Sequence, residues 1–251
     1  MEKIDINGWR IGPFMESQYR QVLRSVLKDQ KQWESFKRHQ LLMSVWGQPT
    51  LNQFFGMYNE LRSVPEVFLK LPEMVKMDRV GGAWGYPLEN VFYSRNLIRY
   101  ADSLRYMSKY FQSLDELSVV EFGSGYGGLA YCAHCLWKPA SWHVVDLQEA
   151  QDVAVKHCGE LGVKIAPASS GEVPDLFIAE FSLTEFVGQK LWDLTDTYIM
   201  SAPKVFIRCN IVDDGLRAEW VNKLREEFNL TLLREAPEAV RFNSIIIGTK
   251  D

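Results

Sequence analysis

The sequence predicts an α/β fold: a seven-stranded, mostly parallel sheet with its last strand reversed, preceded by a helical N-terminal extension. Three observations carry that reading. The apolar run Val119-Val120-Glu121-Phe122 opens at once into glycines at 123, 125, 127 and 128. That is the pattern of a strand whose carboxyl end turns sharply so that backbone approaches a ligand. After it, apolar runs alternate with helical patterns. The last two runs are separated by only seven residues, Pro237 to Asn243, too few for a right-handed parallel crossover, so they pair antiparallel.

In chain order, the stretch from Ser17 to about Trp46 contains no Pro or Gly, and Val22, Val26, Leu27, Trp33 and Phe36 recur at helical spacing. Gly47, Pro49 and Thr50 end this pattern. A second helix is predicted over about 51–61, then a turn at Ser63-Val64-Pro65. Trp9, Trp33, Trp46, Phe54 and Phe55 enrich this part in aromatics, which predicts a packed lid or dimer surface, or else simple docking of helices onto the second domain. Val80-Gly81-Gly82-Ala83-Trp84-Gly85-Tyr86-Pro87 reads as a loop, either a flap over a site or a linker. Residues 1–90 are therefore read as a helical region for closure or oligomerisation, and 91–251 as the ligand-binding domain.

A helical pattern from Ser94 to Phe111 (Leu97, Ile98, Ala101, Leu104, Met107, Tyr110) leads into the sheet. Strands are predicted at about 118–123, 141–146, 163–167, 175–181, 204–210, 230–236 and 244–250. The intervening helices are predicted at about 127–137, 148–161, 186–200 and 214–228.

Composition narrows the function. With 251 residues, 47% apolar and 24% charged, the chain is an ordinary globular protein. A formal charge of −4 gives no diffuse attraction to nucleic acid or anionic lipid, so neither is expected as a partner. There is no run of eighteen apolar residues, and Met1-Glu2-Lys3-Ile4-Asp5 lacks a signal-peptide pattern, so a cytoplasmic location is expected. Cys132, Cys135, Cys158 and Cys209 suit free thiols in that compartment. The C-x-x-C of Cys132 and Cys135 falls in the helix after the glycine turn and has no second ligand pair, so packing is the better reading.

The glycines at 123, 125 and 128 also satisfy the G-x-G-x-x-G of dinucleotide binders. Glu121 argues against that reading. A pyrophosphate wants backbone N–H groups and no neighbouring carboxylate; two like charges about 5 Å apart at an effective dielectric near 20 repel by roughly 3 kcal/mol. S-adenosylmethionine carries an ammonium and a sulfonium and no phosphate, so an acid beside the turn attracts it. Asp146 ends the second strand twenty-one residues after Gly125, where a carboxylate can accept both ribose hydroxyls or cap the next helix. The fourth strand, Asp175 to Phe181, runs out into Ser182-Leu183-Thr184-Glu185; with Glu180 these residues line the far side of such a cofactor, facing an acceptor, or Thr184 and Glu185 simply open the following helix. Arg99 can pair with the donor's carboxylate or lie on a solvated face.

The segment from about Gly81 to Gly248 resembles the sugar O-methyltransferase family. The resemblance rests on Ser94, Arg99 and Tyr100 after a glycine pair; on Glu121, Gly123, Gly125, Tyr126, Gly127 and Gly128; and on Asp146-Leu147. It continues through Asp175-Leu176, Ile178 and Thr184-Glu185, then Glu235-Ala236-Pro237 and Asn243. Ser124 stands where that family has Gly, and Glu180-Phe181 where it tends to have Asn-Tyr. The resemblance implies a Rossmann-like class I methyltransferase sheet that uses S-adenosylmethionine to methylate a hydroxyl of a sugar, free or nucleotide-linked. It implies that Glu121, Gly123, Ser124, Gly125, Tyr126, Gly127, Asp146 and Leu147, with Arg99, Glu180 and Phe181, hold the cofactor.

Alcohol methylation needs alignment and a base within hydrogen-bond reach of the hydroxyl. Glu185 is the first candidate and Glu180 the second, with His134 and His143 better read as satisfied core histidines. Tyr86 in the flap, and Arg208 and Asn210 at the end of the fifth strand, are assigned to the acceptor, with a solvent-facing strand position as the alternative for Arg208. Asp213 and Asp214, with Glu185, offer a Mg²⁺ site or, more simply, the cap of the next helix. Two other functions compete: an NAD(P)-dependent Rossmann oxidoreductase, and a catalytically inactive methyltransferase-like binding module.

Overall fold

The computed structural model describes residues 12–169, 172–185, 189–210, 214–234 and 243–250. The helical N-terminal part consists of α1 (Gly12–Lys28), α2 (Gln30–Trp33), a 3-10 turn (Phe36–Arg38), α3 (Gln40–Val45) and α4 (Leu51–Leu61). Three single turns follow: α5 (Pro65–Phe68), α6 (Leu71–Met74) and α7 (Lys76–Arg79). The long helix expected from Ser17 to Trp46 is thus broken into pieces. Asp29 is the reason: its carboxylate accepts from the backbone N–H groups of Lys31 and Gln32 and starts a new helix, offering the backbone an alternative to continuing the old one. Helix α4 has the predicted bounds because Thr50 and Gln53 close a reciprocal capping box at its start.

The loop at 80–87 runs into an unforeseen hairpin, β1 (Tyr86–Leu88) and β2 (Val91–Tyr93). Glu89 and Asn90 turn it with φ of 49° and 69°, the left-handed pair that a two-residue hairpin turn requires. Helix α8 (Arg95–Phe111) is capped by Ser94, whose hydroxyl accepts from the Leu97 N–H. Nearly all of this helix is buried, because α4 covers one side and α9 (Gly128–Leu136) another.

The remaining strands, β3 (Ser118–Phe122), β4 (Ser141–Val145), β5 (Ala166–Pro167), β6 (Leu176–Glu180), β7 (Lys204–Cys209), β8 (Asn229–Arg234) and β9 (Ser244–Thr249), form one sheet of order β5-β4-β3-β6-β7-β9-β8. All neighbours from β5 to β7 are parallel. Strand β9 inserts antiparallel between β7 and β8, the single reversal that the short final connection demanded. Helices α10 (Gln148–Glu160), α11 (Gln189–Leu194) and α12 (Asp214–Glu227) complete the alternation.

Two predicted elements are shortened. The third sheet strand keeps only Ala166 and Pro167, an edge position where a residue without an N–H is tolerated. The helix expected over 186–200 is α11 followed by a π-helical turn, Thr195–Ile199. There the Thr195 hydroxyl donates back to the Leu191 carbonyl at 2.7 Å and accepts from the Trp220 indole at 2.8 Å, which widens the helix locally.

The N-terminal helices pack directly on the sheet's helices. Arg20 and Arg24 of α1 both reach Glu149 at the start of α10, at 2.7 and 2.6 Å. Phe36 is buried and meets the Tyr126 ring edge-on with centroids 6.1 Å apart. Among the described residues, no helix is long and apolar enough to cross a membrane.

Candidate cofactor site

The turn after β3 is built from left-handed backbone. Gly123, Gly125 and Gly127 have φ of +75°, +55° and +75°, and a Cβ at Gly123 would lie 2.1 Å from that of Ser182. Glycine is therefore required at 123 on two counts, conformation and space. The turn is pinned to the next strand by the Gly123 N–H, which donates to the Val145 carbonyl at 2.8 Å. Gly127 caps α9, so the helix N-terminus begins in the bend. Inside it, the Ser124 hydroxyl is buried with no hydrogen-bond partner among the described residues. A buried hydroxyl left unsatisfied in a cradle of glycines suits contact with a polar ligand.

Two acids flank the bend. Asp146, just past the end of β4, accepts from the Gly125 N–H at 3.0 Å and from the Leu147 N–H at 2.7 Å. Leu147 itself occupies the N-cap of α10 and no side chain caps that helix. Asp146 thus braces the bend while keeping lone pairs for a ligand; burial raises it to about 6. Glu121 is turned to the neighbouring strand, accepting from the Trp142 indole at 2.9 Å. Burial, reinforced by the charges of Glu180 and Asp146, pushes it up to about 8 against the opposing Trp142 hydrogen bond. On the sequence alone Glu121 is a standing anion. The structure makes it an acid that keeps its proton at neutral pH until a positive charge comes near.

The opposite wall comes from β6 and α8. Phe181, at the end of β6, is a non-glycine residue with φ of +63°, a conformation that costs about 1–3 kcal/mol and gathers at working sites. Its N–H donates to the Arg208 carbonyl at 2.7 Å. Glu180 accepts from the Ser103 hydroxyl and lies 3.7 Å from the Arg99 guanidinium. Arg99 also donates to the carbonyls of Trp46 and Gly47, both at 3.2 Å, so it joins the N-terminal segment to the sheet's edge. Trp46 sits over the bend: its ring would be 3.2 Å from a Cβ on Gly125, and its centroid is 4.9 Å from that of Tyr126. The Tyr19 hydroxyl holds Trp46 there, accepting from the indole N–H at 2.9 Å.

No family model matches this chain, and no curated protein matches it. Solved structures do resemble it. Magnesium protoporphyrin IX methyltransferase from Synechocystis PCC 6803, solved with bound SAM, aligns with a TM-score of 0.52 at 12% identity, covering 82% of this chain and all of that one (100%). The fold is that of the class I methyltransferases. Weaker likenesses include a ribosomal protein L11 methylase from Lactobacillus delbrueckii subsp. bulgaricus (TM-score 0.46, 18% identity, covering 66% of this chain and 91% of that one). The pyocyanin biosynthetic protein PhzM is another (TM-score 0.43, 12% identity, 62% of this chain and 58% of that one).

In a class I methyltransferase fold, ligands sit at the carboxyl ends of the parallel strands. Glu121, Gly123, Ser124, Gly125, Tyr126, Gly127, Asp146, Leu147, Glu180 and Phe181 all lie at those ends, and Arg99 reaches them from α8. Other expectations are met differently. Arg208 is fully buried and donates to Asp102, which also holds Arg105 at 2.8 Å; the network lies beneath the wall rather than in solvent. Asn210 is exposed just past β7. Glu185 closes a 3-10 turn, Ser182–Glu185, and its side chain lies outside the described residues, as do Asp213, the side chain of Asp214, and 235–237. Among the described residues, no cluster of three or more His, Cys, Asp or Glu side chains is arranged to hold a metal. His134 is accounted for by contact with the Ala130 carbonyl in its own helix at 2.7 Å, and His143 pairs with Glu172.

Sequence reasoning missed Ser103, Asp102 and Lys37, and placed Ser182 only as part of the stretch lining the cofactor's far side. Ser182 packs on Gly123 and donates to the Phe122 carbonyl at 2.6 Å. The one usable signal was Arg208, a charge inside Val205-Phe206-Ile207-Arg208-Cys209, since an isolated charge on a buried strand needs a partner.

Proposed function

We propose that this protein is an S-adenosylmethionine-dependent methyltransferase that methylates a hydroxyl of a sugar or sugar-like small molecule. The observation that carries the cofactor reading is the glycine bend itself, with its Ser124 hydroxyl, unpartnered among the described residues, and the Asp146 carboxylate braced beside it. Ser124 and the bend's N–H groups bind the donor's polar end. Asp146 accepts ribose hydroxyls with its free lone pairs, and Glu121 and Glu180 supply negative charge. When bound, the donor supplies an electrophilic methyl group attached to a cationic sulfur.

This chain's residues then align an acceptor hydroxyl with that methyl and take its proton. Glu185 is the proposed base because it follows the β6 end where the acceptor would lie. Glu180, held by Arg99 and Ser103, is better suited to orienting and charge balance. Tyr86 belongs to the acceptor side, where it lines a cavity next to the bend. The −4 charge favours a small acceptor over a polynucleotide.

The test is transfer of a labelled methyl group from S-adenosylmethionine to a panel of sugars and nucleotide-sugars. Turnover is expected with wild type and is lost with Glu185→Gln. Cofactor binding without transfer to any panel member would refute the acceptor class, and unaltered turnover by Glu185→Gln would refute the base.

A further inference from the structure

Next to the bend, and sharing Trp46 and Tyr126 with it, lies a cavity of about 230 Å³ between the N-terminal helices, the hairpin and the start of α8. Its described lining includes two cations, Lys37 and Arg95, and no carboxylate. We propose that this cavity is the acceptor subsite and that it takes an anionic polyhydroxyl compound of monosaccharide size, bearing a phosphate or a carboxylate. The inference rests on the methyltransferase reading, since it assigns that site's substrate class.

Size, charge and hydrogen bonding each contribute. The volume falls below the roughly 300–1,000 Å³ typical of drug-sized ligands, so it admits one small ring or one end of a larger molecule. Lys37 is buried, 6% exposed. It donates to the Met77 carbonyl, lies 3.0 Å from His157 Nε2 and sits 4.4 Å above the Tyr126 ring. Arg95 donates to the Tyr86 hydroxyl at 2.6 Å and to the Pro49 carbonyl at 3.2 Å, which fixes the guanidinium while sparing some of its five N–H groups. The nearest acid, Asp78, is outside the described lining and already accepts from the Ser94 N–H and hydroxyl, so an anion is the ligand that the two lining cations select.

Asn96 supplies the second, independent observation. It is 6% exposed, lines the cavity, and its side-chain carbonyl oxygen has no partner among the described residues. That oxygen accepts only from a donor, and a ligand hydroxyl is one. Trp46, Trp84 and Tyr86 provide flat apolar walls of the kind that pack against a sugar ring's C–H face. Burial lowers Lys37 to about 8, against the opposing charge of Asp78, which still leaves it mostly charged at neutral pH to meet an anion.

The experiment is calorimetric titration of the whole protein with glucose, glucose 1-phosphate, glucuronate and inorganic phosphate, with S-adenosylhomocysteine bound in every run. Glucose 1-phosphate or glucuronate should bind at least roughly tenfold tighter than glucose, the worth of one charge-assisted hydrogen bond; which of the two wins identifies the anion. Arg95→Gln should erase that preference, and Asn96→Leu should weaken both sugars while leaving phosphate alone. S-adenosylhomocysteine binding reports folding of each variant and should stay within about twofold of wild type.

Equal binding of glucose and its anionic forms, phosphate binding as tight as the sugar phosphate, or no effect of Arg95→Gln would overturn the subsite. Absence of all sugar binding beside intact S-adenosylhomocysteine binding would do the same and leave the cofactor reading standing. Loss of S-adenosylhomocysteine binding by the wild type would instead sink the reading on which the subsite rests.

Discussion

The raised Glu121 carboxyl makes donor binding a proton-linked event, and its size can be worked out. Burial pushes this group up to about 8. A unit positive charge roughly 5 Å from a carboxylate, at an effective dielectric near 20, is attracted by about 3 kcal/mol, which lowers the acid's pKa by about 2 units. The sign follows directly: a cation favours the deprotonated acid, so affinity rises with pH through about 8 and is weakest below about 6. From pH 6 to pH 9 the affinity for a donor carrying the sulfonium charge should rise roughly 50-fold. Asp146, at about 6, adds roughly a factor of two with the same sign.

S-adenosylhomocysteine has the same amino acid and nucleoside without the sulfonium charge, so the ratio of the two affinities isolates the effect. The assay is calorimetry with S-adenosylmethionine and S-adenosylhomocysteine at several pH values, repeated in buffers of different ionisation enthalpy to count released protons. In Glu121→Gln the ratio should lose its step near pH 8. A ratio that stays flat in the wild type, or a step that survives the substitution, refutes the assignment of Glu121 as the charge partner.

Three further outcomes follow from the packing. Gly123→Ala forces a Cβ against Ser182 at a φ of +75°; it should destabilise the fold by about 1–3 kcal/mol and abolish S-adenosylhomocysteine binding, as urea unfolding and calorimetry would read. Asp102→Ala removes the buried acid that Arg208 and Arg105 share and should cost about 3–5 kcal/mol in a urea titration; a loss below about 1 kcal/mol would mean the pair is not buried as described. Thr50→Ala removes one half of the capping box and should cost about 1 kcal/mol with no change in cofactor affinity.

Much of the sheet was legible because its signals are local. Buried parallel strands read as apolar runs, glycines mark the bend, and seven residues cannot cross over, so the reversed β9 follows from chain length alone. The N-terminal break at Asp29 and the π turn at Thr195 were less legible, because each depends on one polar side chain choosing a backbone partner. The hairpin was hidden by Pro87, which suppresses a strand reading although Glu89-Asn90 supplies the turn. At the site, the bend and Asp146 stand at positions spacing can specify. The Glu121–Trp142 bond, the Arg99 bridge to Trp46 and Glu180, and the Lys37 and Asn96 contributions to the cavity all join residues distant in sequence. Periodicity carries no information about such meetings.

The central claim is that the glycine bend accepts a positively charged methyl donor and not a dinucleotide. Side-by-side calorimetric titration of the purified protein with S-adenosylmethionine and NADH tests it most directly. Saturable binding of S-adenosylmethionine with no heat from NADH is the expected result; saturable NADH binding with none for S-adenosylmethionine would contradict it.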